Sequence, residues 1–138
     1  MKDTIHAGTT FTRRLTVDRD RTISFMGEEG RVYATPSLIR DVELTCRELI
    51  LQHADPGEDS VGMEVALKHL APTLPGMEVE ITVTVNAVEK RKIVFDVAVK
   101  DTLEPISGGS HTRFVVDTAK TIERLKAKAA KVAAARAG

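Results

Sequence analysis

The period of the apolar pattern changes once along this chain, and that change limits the folds open to it. From Thr35 to about His53, the residues Leu38, Ile39, Val42, Cys46, Leu49 and Ile50 fall on one arc at ~100° per residue, the mark of a helix. Thr35-Pro36 starts it, because Pro suits the first turn and Thr can act as N-cap, and Asp55-Pro56-Gly57 ends it. Leu44 and Leu51 lie on the roughly opposite side, which predicts a helix covered on more than one side. From Val61 onward the period is two. Val61, Met63, Val65 and Leu67 form one alternating set, Met77 to Val85 a second and Ile93 to Val99 a third, with a last run over Arg113–Asp117. Thr10–Val17 is a strand candidate ahead of the helix. Asp18–Arg21 reads as a turn, Gly27–Gly30 as a loop, Glu89–Lys92 as a hairpin turn, and Asp101–Gly109 as the next turn, holding two glycines.

Consecutive strands with short turns make an antiparallel sheet. The expected fold is therefore α+β: one strand, a long helix, four antiparallel strands and a C-terminal helix. An antiparallel sheet wrapped around one long central helix is the hotdog arrangement. Its open edges are resolved by pairing two sheets, so a homodimer or a dimer of dimers is expected. Residues 1–118 form the expected domain. Residues 119–138 form a basic helix with eight Ala, and six Lys or Arg against one Glu; Ile122, Leu125, Ala129 and Val132 make its thin apolar stripe. It reads as a solvated helix or as a contact for a partner or acidic ligand.

Composition removes several classes of function. Twenty Lys+Arg balance 20 Asp+Glu, a charge unsuited to a nucleic-acid binder, and aromatic residues are only 4%, with no Trp to stack on bases. No apolar run is long enough to span a membrane, and Met1–Arg14 lacks a signal-peptide core. The single Cys46 allows no internal disulfide, and the four His are too widely spaced for a metal signature. The expectation is a cytoplasmic protein with no metal and no membrane contact.

Three polar residues fall where the apolar pattern is strongest. Singly, each has a plain structural reading. Thr35 caps the helix, Glu43 pairs with Arg47 four residues on, and His69, in phase with Val61, Met63, Val65 and Leu67, is a hydrogen-bonded core imidazole. Together they suit hydrolysis. A carboxylate attacks or activates water, an imidazole moves protons near neutral pH, and a hydroxyl positions the reacting group. The helix N-terminus at Thr35 can stabilise an oxyanion, and Gly62 allows a ligand close to the backbone. Lys90, Arg91 and Lys92 form a solvated turn or meet phosphates. His111 reads as a structural residue or as one standing behind the site.

The chain resembles the fluoroacetyl-CoA thioesterase-like branch of the hotdog-fold acyl-CoA thioesterases. Tyr33-Ala34-Thr35 is similar to the segment holding that family's catalytic Thr; Glu43 and His69 fall at its catalytic Glu and His. Pro56-Gly57-Glu58-Asp59-Ser60-Val61-Gly62 resembles its Pro-Gly-Glu-x-Ser-x-Gly turn, and Ser107–Arg113 resembles its Gly-Ser-Gly-x-His-x-Arg segment. The likeness runs without gaps from Thr35 to Arg113. It implies hydrolysis of an acyl-CoA thioester with Thr35, Glu43 and His69 catalytic, Gly62, Arg113 and Phe25 near the substrate, and no cofactor beyond the coenzyme A of the substrate. One departure stands out. The segment Ser24–Val32 is shorter than the family's Phe-containing lid, so thioesterase activity is implied and selectivity for fluoroacetyl-CoA is not. The alternative is a non-catalytic hotdog module that binds an acyl-CoA or a related small ligand.

Overall fold

A computed structural model of the chain describes residues 1–137. Its elements follow the order β1 (Thr10–Thr16), α1 (Thr35–Leu51), β2 (Glu58–His69), β3 (Glu78–Glu89), β4 (Lys92–Asp101), β5 (Pro105–Asp117) and α2 (Thr118–Ala137). Single 3-10 turns at Arg19–Arg21 and Glu28–Gly30 fill the connection ahead of α1. The five strands form one sheet in the order β1-β3-β4-β5-β2, antiparallel throughout. Helix α1 lies across one face and touches β1, β2, β3 and β5. This is the expected hotdog arrangement.

The arc of α1 is buried at Leu38, Val42, Cys46, Leu49 and Ile50. Five such side chains contribute on the order of 10 kcal/mol of gross burial energy. They meet Val79, Ile81, Val83, Ile93 and Phe95 from the sheet. The second apolar patch is not covered within the chain: Leu44 is half-buried and Leu51 exposed.

Two strand expectations need correction. The glycines Gly108 and Gly109 sit inside β5, and the turn before it is only Thr102–Glu104, held by Asp101 Oδ1 accepting from the Leu103 and Glu104 amides at 2.8 and 3.0 Å. Gly109 is needed because β2 passes close by. A Cβ there would lie 2.0 Å from the Ala66 carbonyl oxygen, at a φ of +151°. In β2 the alternation is broken by a bulge between Gly62 and Glu64. Val61 therefore pairs with Phe114 on the outer face, while Val65, Leu67 and His69 share the helix side with Gly62. His69 is in phase with Val65 and Leu67 but not with Val61.

The two sheet edges differ. β1 carries Arg13 and Arg14, whereas β2 exposes Val61, Met63 and Val65 by 47%, 58% and 39%. Helix α2 buries no residue and packs against β5. No helix is long and apolar enough to cross a membrane among the described residues.

Candidate active site

The first residue of α1 meets the last residue of β2. Thr35 Oγ1 and His69 Nδ1 share a hydrogen bond of 2.8 Å. The N-cap position belongs to Ala34, and no side chain caps the helix, so the hydroxyl expected to cap is free to hold the imidazole. Burial lowers the His69 pKa below its ordinary value, which keeps the ring neutral near pH 7. Its Nε2 is buried without a hydrogen-bond partner, as is Oγ of Ser107, the residue opposite it in β5. A buried polar atom without a partner calls for an explanation, and a catalytic role is one.

Tyr33 stands edge-on to His69, with ring centroids 6.3 Å apart at 81°. It is fixed in turn. Its amide donates to the Thr73 carbonyl at 2.8 Å, and its hydroxyl donates to Asp41 Oδ2, which also accepts from Arg21 Nε at 3.0 Å. Burial, aided by Asp41, raises the phenol pKa, so Tyr33 stays a donor. Ile23, Phe25, Val32, Leu70, Ala71 and Pro72 complete an apolar cleft beside His69 and Thr35. Phe25 is 82% exposed, so the loop before α1 leaves this cleft open.

A second cleft lies two turns further along α1, lined by Arg40, Glu43, Leu44, Ser60, Val61, Gly62 and Arg113. Glu43 does not pair with Arg47. That guanidinium binds Asp59 through two bonds, Nε to Oδ1 at 2.9 Å and Nη2 to Oδ2 at 2.7 Å. A bidentate fork is the stronger arrangement, so the local i, i+4 pair loses. Glu43 Oε1 instead lies 3.8 Å from Arg113 Nη1 and 3.9 Å from His111 Nε2. Gly62 makes room for it, since a Cβ there would come within 2.5 Å of Oε1. Arg113 is buried and donates to Ser60 Oγ and to the Ser60 carbonyl, each at 2.8 Å.

The structure thus joins Thr35 to His69 and Phe25, and Glu43 to Gly62 and Arg113, but keeps the two groups apart in one chain. Thr35 and Glu43 are eight positions apart along the helix, a rise of about 12 Å. Ser60, Ser107, Tyr33 and Asp41 were not singled out from the sequence. Tyr33, Ser60 and Ser107 stood in the sequence only as members of the family-like segments, and Asp41 left no signal there. In the Glu89–Lys92 turn, Arg91 pairs with Glu58 at 2.9 Å and Lys92 with Glu89 at 3.2 Å. No group of three or more His, Cys, Asp or Glu among the described residues is arranged to hold a metal ion.

The model of the family described as fluoroacetyl-CoA-specific thioesterase, FlK, matches residues 17–119, a span holding both clefts. The chain belongs to that family. It is 28% identical over 135 residues to the fluoroacetyl-CoA thioesterase of Streptantibioticus cattleyicolor, covering 93% of this chain and 97% of that one. A solved structure of fluoroacetyl-CoA thioesterase FlK superposes with a TM-score of 0.84 at 27% identity, covering 91% of this chain and 98% of that chain. A Thermus thermophilus hypothetical protein, described as a thioesterase superfamily member, gives a TM-score of 0.84 at 25% identity, covering 93% and 96%. Membership in the FlK family covers the whole segment from the loop before α1 to the end of β5, so no site residue named above lies outside it.

Proposed function

We propose that this chain hydrolyses an acyl-CoA thioester to a free acid and coenzyme A. The observation that carries the reading is the pair of chemically ready groups. His69 is neutral, held by Thr35, and presents an unpaired Nε2; Glu43 is released from Arg47 and held beside Gly62 by Arg113. Glu43 supplies the nucleophile to the thioester carbonyl, itself or through a water it deprotonates. The C–S bond then breaks, and His69 manages the protons as water completes the acid and the thiol. Thiolates leave readily, so positioning and charge stabilisation are the main demands, and the N-terminal amides of α1 suit the developing oxyanion. No cofactor is needed, because coenzyme A enters as part of the substrate. The acyl group lies against the apolar cleft of Ile23, Phe25, Val32 and Leu70. The setting is the cytoplasm, in keeping with one unpaired cysteine.

The working unit in this reading is a homodimer. β2 is the apolar edge, and an exposed apolar edge is a template for pairing. Two copies of β2 joined antiparallel about Val65 set the His69 end of one strand against the Val61–Gly62 end of the other. That pairing unites the Thr35–His69 cleft of one protomer with the Glu43 cleft of its partner.

The test is thiol release from a panel of acyl-CoAs, short to long and including fluoroacetyl-CoA, with wild type beside His69→Ala. Turnover of some acyl-CoA that falls at least tenfold in the variant supports the reading. Binding of acyl-CoA with no turnover replaces it with a binding module.

A further inference from the structure

His111 makes two hydrogen bonds that fix its proton. Its Nδ1 lies 2.8 Å from the Glu64 carbonyl oxygen, which only accepts, so Nδ1 carries the hydrogen. Its Nε2 lies 3.2 Å from Arg113 Nη1, which only donates, so Nε2 is bare. Both bonds demand the same neutral tautomer, and burial above all holds the ring's pKa below the ordinary imidazole value. The residue is 1% exposed, so it does not reach substrate itself.

The bonds lead toward Glu43. Arg113 spends Nε and Nη2 on Ser60 and donates from Nη1 to His111. The same Nη1 faces Glu43 Oε1 at 3.8 Å, and Glu43 sits where only a glycine at position 62 leaves room. Glu64, which anchors His111, lies at the β2 bulge directly after the Gly62 segment, so the irregularity in the strand is tied to the carboxylate through His111 and Arg113.

We infer that His111 is a positioning residue: by accepting from Nη1 it sets where the Arg113 guanidinium sits, and Arg113 sets where the Glu43 carboxylate sits. The inference rests on the role proposed above for Glu43. A buried histidine that only fills space would tolerate any well-packed substitute. A positioning residue needs an acceptor for Arg113 and a donor for Glu64 at the same time. Glutamine offers both from one amide; leucine offers neither.

The experiment is steady-state thiol release by wild type, His111→Leu, His111→Gln and Glu43→Gln, with thermal melting of each. Expected is a fall in kcat of roughly 10- to 100-fold for His111→Leu, the scale of a small misplacement of a catalytic group, with KM within about threefold of wild type. His111→Gln recovers most of that loss. Should His111→Leu fail to fold, His111→Asn, whose amide is one methylene shorter so that donating to Glu64 draws its oxygen back from Arg113, carries the same expectation. Wild-type kcat in a folded His111→Leu or His111→Asn overturns the inference, as does equal loss in His111→Gln. Full activity of Glu43→Gln removes the reading of Glu43 itself and the inference with it. Loss in Glu43→Gln with none at position 111 overturns the inference alone.

Discussion

Thr35 Oγ1 and His69 Nδ1 share a hydrogen bond of 2.8 Å, and the end of α1 is left without a side-chain cap. Removing the hydroxyl therefore costs orientation of the imidazole more than it costs the helix. In the mechanism proposed above His69 transfers the protons, so Thr35→Ala, which removes the hydrogen bond that aligns it, is expected to lower kcat about tenfold or more. Its melting temperature should stay close to wild type. Loss of a true N-cap would instead cost about 1 kcal/mol and move the melt by several degrees. Thiol release and calorimetry on Thr35→Ala and Thr35→Ser separate the two, with Ser restoring the rate.

Gly62 and Gly109 predict opposite behaviour. An alanine Cβ at 62 meets the end of a flexible carboxylate 2.5 Å away, so Glu43 swings aside and the fold survives. Gly62→Ala should lose activity, about tenfold or more, with less than about 1 kcal/mol of stability. At 109 the Cβ meets the Ala66 backbone oxygen at 2.0 Å, and β2 or β5 must move. Gly109→Ala should cost about 3 kcal/mol or more, read as a shift in urea midpoint.

The β2 edge predicts a link between assembly and rate. A charge at its centre, Val65→Lys, opposes strand pairing while leaving an exposed position exposed. Sedimentation is expected to give dimers for wild type and monomers for the variant, and thiol release should fall with dimer content. A fully active monomer would end the shared-site reading.

Glu58 predicts an acid limb in stability. The Met1 ammonium at 2.6 Å lowers its pKa most, the Asp55 amide and Arg91 assist, and the value falls to about 2. A carboxylate with a depressed folded pKa stabilises fully above its unfolded value of 4.5. That contribution disappears as pH drops from about 4.5 toward about 2. Melting curves of wild type and Glu58→Gln should therefore stand apart above pH 5 and converge as pH approaches 2.

Some of the site was legible residue by residue, and the rest was not. The starts and stops of α1, β3 and β4 are local signals: Pro36, Asp55-Pro56-Gly57, strict alternation, and a short polar turn. Gly108-Gly109 misled, because glycine marks a turn in sequence but here serves the close passage of β2 over β5. The phase of His69 misled in part, because a bulge at Met63 adds a residue that periodicity does not register. Glu43 and Arg47 fit the helical ion-pair spacing, yet Asp59, twelve residues from Arg47, offers a better fork.

By itself the sequence determined the order of helix and strands, the buried arc of α1, and which three polar side chains break the apolar pattern. Those follow from properties of each residue and its near neighbours. The tertiary structure decided which atoms meet: Thr35 with His69, Arg113 with Ser60 and His111, and Glu43 with the space above Gly62. These contacts join segments far apart in the chain. A hydrogen bond weakens over a few tenths of an ångström, so its partners are set only once sheet register, bulge and helix placement are set together.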